Sequence, residues 1–120
     1  MENGFVEPVI LDQGDDYDGL EKYIVAKLSN GQVVIRSIRG CHHSDILYLL
    51  EEEVKKNNLR ADCLGGGIIS VDPNAKTICV RGKSRYGIEP NRKHTICMLQ
   101  DKFPGFRLKY IEAMIKYLIL

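Results

Sequence analysis

The sequence predicts an α+β domain built on one sheet. Two pairs of strand-like segments each flank a turn, and two other segments carry apolar residues at helical spacing. These elements follow one another in mixed order, with no repeat, linker or low-complexity stretch between them. Because a chain of 120 residues with 44% hydrophobic content can bury a real core, we expect a single domain over residues 1–120.

Three strands are predicted before the first helix. Residues 5–11 form a short strand, which Pro8 places at an edge of the sheet because proline lacks a backbone N–H. Residues 22–28 are apolar on both faces, as is typical of a central strand. An Asn-Gly turn then returns the chain along residues 32–36, and this is the clearest hairpin signal in the sequence.

The first helix is predicted over residues 44–57. Ile46, Leu50 and Val54 recur at helical spacing, and charged residues occupy the solvent side between them. Ser44 is the natural N-cap, because its hydroxyl can accept a hydrogen bond from an unpaired N–H of the first turn.

Three consecutive glycines follow the extended segment 59–64. Gly65-Gly66-Gly67 could form an anion nest from exposed N–H groups. However, neither the P-loop pattern nor the dinucleotide-binding pattern is present, and no helix follows. We therefore expect a bulge or tight bend in the sheet.

The remaining elements are a second hairpin, a second helix and a last strand. Residues 68–71 and 77–81 flank a turn, and Pro90 fits the first turn of a helix that runs to about Lys102. Residues 106–111 form the last strand. The strongly apolar tail, residues 112–120, must be buried against the domain or a partner.

Charge and hydropathy exclude several classes of protein. Seventeen basic and sixteen acidic residues give a formal charge of +1 with no block of one sign, so no nucleic-acid surface or membrane-binding face is expected. The first residues lack the basic and apolar regions of a signal peptide, and no window is long and apolar enough to span a membrane. We therefore expect a cytoplasmic protein.

No metal site is expected. The acidic stretch 12–19 fails the EF-hand pattern, because aligning Gly19 with the obligatory glycine puts Gly14 at the first ligand position and Val25 at the closing glutamate. The four cysteines are irregularly spaced without a C-x-x-C pair, which argues against zinc. In a reducing compartment they should be free thiols.

The main candidate for a functional site is the stretch 39–45, which holds two of the three histidines just before the first helix. A histidine there lies near unpaired backbone N–H groups and the positive end of the helix dipole, which favour a nearby anion and a neutral imidazole. Such an imidazole could act as a base or nucleophile on a phosphoryl group. The alternatives are that His42 and His43 are ordinary loop histidines, or that Cys41 and His43 form a nucleophilic pair.

The second candidate is the loop 82–87, which runs from Gly82 to Gly87. It follows a strand and could offer backbone N–H groups, the Ser84 hydroxyl and the charges of Lys83 and Arg85 to phosphate oxygens. The alternative is an ordinary basic turn.

Four sequence motifs occur in the chain, and Lys102-Phe103-Pro104 follows further along. They are Gly19-Leu20-Glu21-Lys22-Tyr23, His43-Ser44-Asp45-Ile46, Cys63-Leu64-Gly65-Gly66-Gly67-Ile68-Ile69-Ser70 and Gly82-Lys83-Ser84-Arg85-Tyr86-Gly87. In order and approximate spacing they resemble the Janus family, which includes protein phosphohistidine phosphatase. The match covers roughly residues 6–111.

This resemblance implies a mixed, largely antiparallel sheet flanked by two helices, and metal-independent hydrolysis of phosphohistidine on proteins without a cofactor. It places the catalytic histidine on His43 and the phosphate-contacting lysine on Lys22. The phosphate loop falls on residues 82–87, with Ser84 at the family serine. A family arginine upstream of the histidine corresponds to Arg36 or Arg39, depending on where a gap is placed.

The sequence also departs from the family pattern. Ile68 stands where members often carry an arginine directly after the triple glycine, which removes one phosphate ligand. Lys83 and Arg85 are candidates to restore that charge. The family histidine near the second helix corresponds to Arg92 or His94.

Residue chemistry and resemblance together predict an enzyme acting on histidine-phosphorylated proteins, with His43 as general base or nucleophile. Asp45 either orients His43 or interacts with the helix N-terminus. The alternatives are a non-catalytic module that binds phosphohistidine or phosphate, and an interaction domain with a vestigial pocket. We expect a monomer, with self-association through the apolar tail as the alternative.

Overall fold

The computed structural model describes residues 5–12 and 20–111. In chain order the elements are strands β1 (Val9–Asp12), β2 (Glu21–Leu28) and β3 (Val33–Ile38), helix α1 (His43–Lys55), strands β4 (Ala61–Asp72) and β5 (Thr77–Arg81), helix α2 (Arg92–Lys102) and strand β6 (Arg107–Ile111). The predictions for the acidic stretch beyond Asp12 and for the apolar tail 112–120 lie outside the described residues.

The six strands form one sheet in the order β1-β3-β2-β4-β5-β6. Its three inner pairs are antiparallel, whereas the outer strands β1 and β6 run parallel to their neighbours β3 and β5. The predicted mixed, largely antiparallel sheet is confirmed. So are the edge position of the first strand and the central position of the second.

The two helices cover opposite faces of the sheet. Alternate residues of a strand point to opposite faces, and the two faces of β2 pack in different clusters. Ile24 and Ala26 pack with α1, in a cluster that includes Ile46, Leu50 and Val54. Tyr23 and Val25 pack on the other side, in a cluster that includes Leu99 of α2. Burial on both faces explains why residues 23–26 of β2 form an unbroken apolar run.

Helix α1 begins at His43, so the prediction that Ser44 is its N-cap is wrong. His42 occupies the cap position, and its backbone N–H donates to the Asp45 carboxylate at 3.3 Å. A carboxylate in the first turn both accepts this N–H and suits the positive end of the helix dipole. His43 therefore belongs to the first turn of α1 and not to the preceding loop.

Strand β4 is continuous over twelve residues, where the sequence predicted two segments around the glycines. Its register with β2 shifts between Val25 and Ala26, opposite Gly65, whose φ is 141°. The predicted bulge is thus confirmed, and it lets the strand continue with a changed register.

Helix α2 begins later than Pro90 indicated. Asn91 is the N-cap, and its side-chain oxygen accepts the His94 N–H at 3.2 Å.

The four cysteines are free thiols. Among the helices of the described ranges, none has the length and apolar character needed to cross a membrane.

Candidate functional site

The His43 imidazole is held by the triple glycine of β4. Only 7% of the residue is exposed, and Nε2 lies 3.0 Å from the carbonyl oxygen of Gly67. A carbonyl oxygen can only accept, so Nε2 carries the hydrogen and the neutral ring has its lone pair on Nδ1. One contact therefore sets both the orientation and the tautomer of the ring.

The surroundings of His43 keep the ring neutral. Burial lowers its pKa below the ordinary 6.5, and the charges of Lys22 and His42 lower it further, while the hydrogen bond to Gly67 opposes the shift. This direction favours the neutral imidazole expected from the sequence, with burial rather than the helix dipole as its leading cause. At neutral pH the ring has a lone pair available for a proton or a phosphorus atom.

Lys22 lies in a row of three side chains across the sheet. Ile68 is opposite Lys22 in the β2–β4 ladder, and Arg81 is opposite Ile68 in the β4–β5 ladder. Directly opposed residues of antiparallel strands project to the same face, here the face that carries α1. With strands about 4.8 Å apart, Lys22 and Arg81 leave the sheet about 10 Å from each other, on either side of Ile68.

The glycines allow close approach of neighbouring groups. A Cβ at Gly66 would lie 2.1 Å from the Tyr23 carbonyl oxygen, and one at Gly67 would lie 2.5 Å from the Arg81 carbonyl oxygen and 2.9 Å from Arg92 Nη2. The Gly66 N–H donates to the Gly87 carbonyl oxygen at 3.0 Å. This N–H is therefore used to hold the loop 82–87 against β4.

A buried polar network supports the glycines from the α2 side. Three donors converge on the Glu89 carboxylate, namely Tyr23 Oη at 2.8 Å, Thr95 Oγ1 at 2.9 Å and Arg92 Nη2 at 2.9 Å. Arg92 Nη2 also donates to the Gly66 carbonyl oxygen at 3.1 Å. Burial raises the pKa of Tyr23 far above its ordinary value, so its hydroxyl remains a donor. The network thus packs against the backbone whose next carbonyl binds His43.

The loop 82–87 is shaped by its own serine. The Ser84 hydroxyl donates to the Gly87 carbonyl oxygen at 2.8 Å and accepts the Tyr86 N–H at 2.9 Å, and Ser84 is 5% exposed. The backbone N–H groups of Lys83 and Arg85 have no acceptor within the described part of the chain. Ser84 therefore orders the loop, and the N–H groups of Lys83 and Arg85 remain for a ligand.

The two candidate arginines lie in different surroundings. Arg36 is 3% exposed, and its guanidinium binds the Glu53 carboxylate of α1 at two points, with Nε–Oε1 at 3.0 Å and Nη2–Oε2 at 2.7 Å. This ion pair joins β3 to α1. Arg39 is exposed in the loop that leads to His43, and its N–H donates to the Asp12 carbonyl oxygen at 2.8 Å. Arg39 is therefore the one near the start of α1.

Three of the other candidate residues pack or form hydrogen bonds within the fold, and the fourth is exposed. Cys41 packs against the apolar cluster under α1, and Asp45 binds the N-cap of that helix. Arg92 belongs to the buried network, whereas His94 is exposed on α2. Over residues 5–12 and 20–111, no group of three or more His, Cys, Asp or Glu is placed to hold a metal ion.

Sequence reasoning missed Arg81 and the Glu89 network. A local signal existed for Arg81, because residues 77–81 alternate and Ile78 and Val80 are the apolar members. That alternation puts Arg81 on the opposite face. No comparable signal marked Glu89, since a charged residue between a basic loop and a helix is ordinarily exposed.

Comparison with known proteins identifies the family of the chain. The model of the Janus/Ocnus family (Ocnus) matches residues 12–107. The chain belongs to the Janus/Ocnus family. The "Sex-regulated protein janus-A" of Drosophila simulans and that of Drosophila melanogaster are each 33% identical over 97 residues, which is 77% of this chain and 72% of those proteins. The janus-A of Drosophila pseudoobscura pseudoobscura is 25% identical over 104 residues, or 78% of this chain and 70% of that protein.

The Janus/Ocnus match extends from the end of β1 into β6 and includes Lys22, His43, the triple glycine and the loop 82–87. The resemblance seen in the sequence is therefore confirmed for the family. The activity and the roles of individual residues stay predictions.

Proposed function

We propose that this Janus/Ocnus protein is a metal-independent protein phosphohistidine phosphatase that hydrolyses the P–N bond. The observation that carries the proposal is the state of His43, a neutral ring with one nitrogen bound to Gly67 and a lone pair on the other, next to the charge of Lys22. Phosphoryl transfer needs a positioned nucleophile or base, with cations and N–H groups for the phosphoryl oxygens.

The proposed phosphoryl site lies between His43, Lys22 and the loop 82–87. His43 is bound to Gly67 and the loop is bound to Gly66, so both are anchored to consecutive residues of β4. Lys22 approaches from the neighbouring strand, opposite Ile68. In this proposal the Lys22 ammonium and the N–H groups of Lys83 and Arg85 neutralise the phosphoryl oxygens. Arg39 and Arg81 supply further positive charge.

Two chemical routes suit His43. In the first, Nδ1 takes a proton from water as the water oxygen bonds to phosphorus, and the P–N bond breaks as the departing imidazole nitrogen takes up a proton from solvent. Release of the proton from Nδ1 to solvent then restores His43. In the second, Nδ1 itself bonds to phosphorus while the substrate imidazole leaves protonated. Water then hydrolyses the new P–N bond, which releases phosphate and restores His43.

A phosphate-binding module without turnover is the second candidate. The observation that favours it is Ile68, whose apolar side chain separates Lys22 from Arg81 in the row across the sheet. An uncharged residue at that position leaves less positive charge to stabilise a transition state. The enzyme proposal also includes two expectations from the sequence: the protein is cytoplasmic, and its partners are histidine-phosphorylated proteins.

Phosphate release from a histidine-phosphorylated peptide, measured with EDTA present, tests the proposal. We expect His43→Ala to lower kcat by about 10²–10⁴-fold, the range for removing a general acid–base group. Lys22→Ala should retain more activity, because other cations and N–H groups remain. His42→Ala is the matched control, since His42 is the exposed neighbouring histidine and should keep nearly wild-type activity.

The outcomes separate the two candidates. Wild-type activity in His43→Ala would refute the assignment of the site. Binding of the phosphopeptide with no phosphate release by the wild type would establish the binding module instead. An acid-labile phosphoryl group trapped on the wild type and absent from His43→Ala would select the second chemical route.

A further inference from the structure

One face of the sheet extends beyond helix α1 and carries basic residues. Val80 of β5 and the β6 residues Leu108 and Tyr110 pack in the cluster on the α2 side. Their neighbours along the strands therefore point to the opposite face. Arg81 is half-buried there, and Arg107 and Lys109 are exposed. We name the surface formed by Lys22, Arg81, Lys109 and Arg107 the basic face.

The strand register makes the basic face continuous with the candidate site. Arg81 is in one row with Ile68 and Lys22, Lys109 is level with Cys79, and Arg107 is level with Thr77. Residues two apart on a strand are separated by about 6.7 Å. The basic face thus starts beside His43 and extends about 13 Å along β6 from the Arg81 row to Arg107.

Among the described residues, no ion pair neutralises the cations of β5 and β6 on this surface. Within residues 5–12 and 20–111, Arg81, Arg107 and Lys109 form no ion pair. On strands β4 to β6, the acidic residue that shares this face is Asp72, opposite Thr77 at the far end, and its Oδ1 accepts the N–H groups of Asn74 and Ala75. The whole chain has a formal charge of only +1, so a face with these cations and one acidic neighbour on β4 to β6 is more positive than the chain on average.

We propose that the basic face binds an acidic segment of the phosphorylated protein, next to the residue whose phosphoryl group enters the site. The proposal rests on the proposed function and specifies its substrate class. Charge complementarity and continuity with the site favour this occupant. An extended segment with acidic residues at alternate positions repeats at the same spacing as Arg107 and Lys109. Since these cations are exposed, their effect should be moderate and weakened by salt.

The test compares two histidine-phosphorylated peptides that differ only in flanking residues, four alternating glutamates in one and four glutamines in the other. For the wild type we expect kcat/KM to be about three- to ten-fold higher for the acidic peptide, through a lower KM, with the preference lost at high salt. Lys109→Glu and Arg107→Glu should each reduce the preference. Lys93→Glu is the matched control, because Lys93 is exposed on α2, on the other side of the sheet.

Turnover of free phosphohistidine, which has no flanking residues, separates the two proposals. Lys109→Glu and the milder Lys109→Gln should hydrolyse it at the wild-type rate, which also shows that they are folded. Equal kcat/KM for both peptides in the wild type, or an equal loss in Lys93→Glu, would overturn the basic-face proposal alone. If no substrate is turned over, the proposed function fails, and the Kd values for the two peptides then decide whether the basic face selects acidic segments.

Discussion

Replacing Glu89 by glutamine tests the buried network behind the triple glycine. Glu89 is 3% exposed and Arg92 is 8% exposed, so the substitution removes the counter-charge of a buried guanidinium. Arg92 Nε and Nη1 are buried and have no hydrogen-bond partner in the described part of the chain, so no second carboxylate replaces the lost charge there. Breaking a buried ion pair by removing one partner costs about 3–5 kcal/mol. Glutamine keeps the shape of the side chain and one acceptor, so we expect Glu89→Gln to lower the free energy of unfolding by about 3 kcal/mol.

That loss should be large on the scale of thermal unfolding. For a chain of this length, 1 kcal/mol lowers Tm by about 3–5 °C, so Glu89→Gln should lower Tm by about 10–15 °C. Glu7→Gln is the matched control, because Glu7 pairs with Lys102 at 3.4 Å and both side chains are more than two-fifths exposed, at 48% and 43%. An exposed pair of this kind contributes about 0–1 kcal/mol.

Circular dichroism on heating and in urea would measure both variants. A Glu89→Gln loss below about 1 kcal/mol, equal to that of Glu7→Gln, would refute the argument that Arg92 depends on its counter-charge. The double variant Glu89→Leu with Arg92→Leu should be more stable than the sum of the two single losses predicts, since it leaves no unpaired buried charge.

Three further predictions follow from the site and its helices. The acid limb of kcat/KM should lie below pH 6.5, since the pKa of His43 is lowered. Lys22→Met should move that limb to higher pH because it removes a charge that lowers the pKa, and an unmoved limb would show that the Lys22 charge does not act on His43. Gly67→Ala should cost at least about 1–3 kcal/mol and reduce turnover, because its Cβ would lie 2.5 Å from a backbone oxygen; wild-type Tm and activity would contradict the close packing. Asn91→Ala should cost about 1 kcal/mol in urea unfolding through loss of the α2 cap, and no change would exclude that role.

The order and type of the elements were readable from the sequence because their signals are local. The Asn-Gly turn marks the β2–β3 hairpin, the alternation in residues 77–81 marks β5, and Ile46, Leu50 and Val54 mark the buried stripe of α1. The start of α1 was misplaced because both the Ser44 hydroxyl and the Asp45 carboxylate can accept an N–H at a helix start. The Asp45 carboxylate binds the N–H of His42, and this puts Ser44 inside the helix.

The sequence by itself determined that an α+β sheet forms and that His43 stands at the start of a helix beside residues able to bind an anion. Only the tertiary structure decided what surrounds that ring. The His43–Gly67 contact spans 24 residues and the Tyr23–Glu89 contact spans 66, and the pairing of Ile68 with Lys22 and Arg81 follows from a register shifted at Gly65. A register is set by how all strands bury their apolar faces together, so no local pattern specifies which distant residues become neighbours.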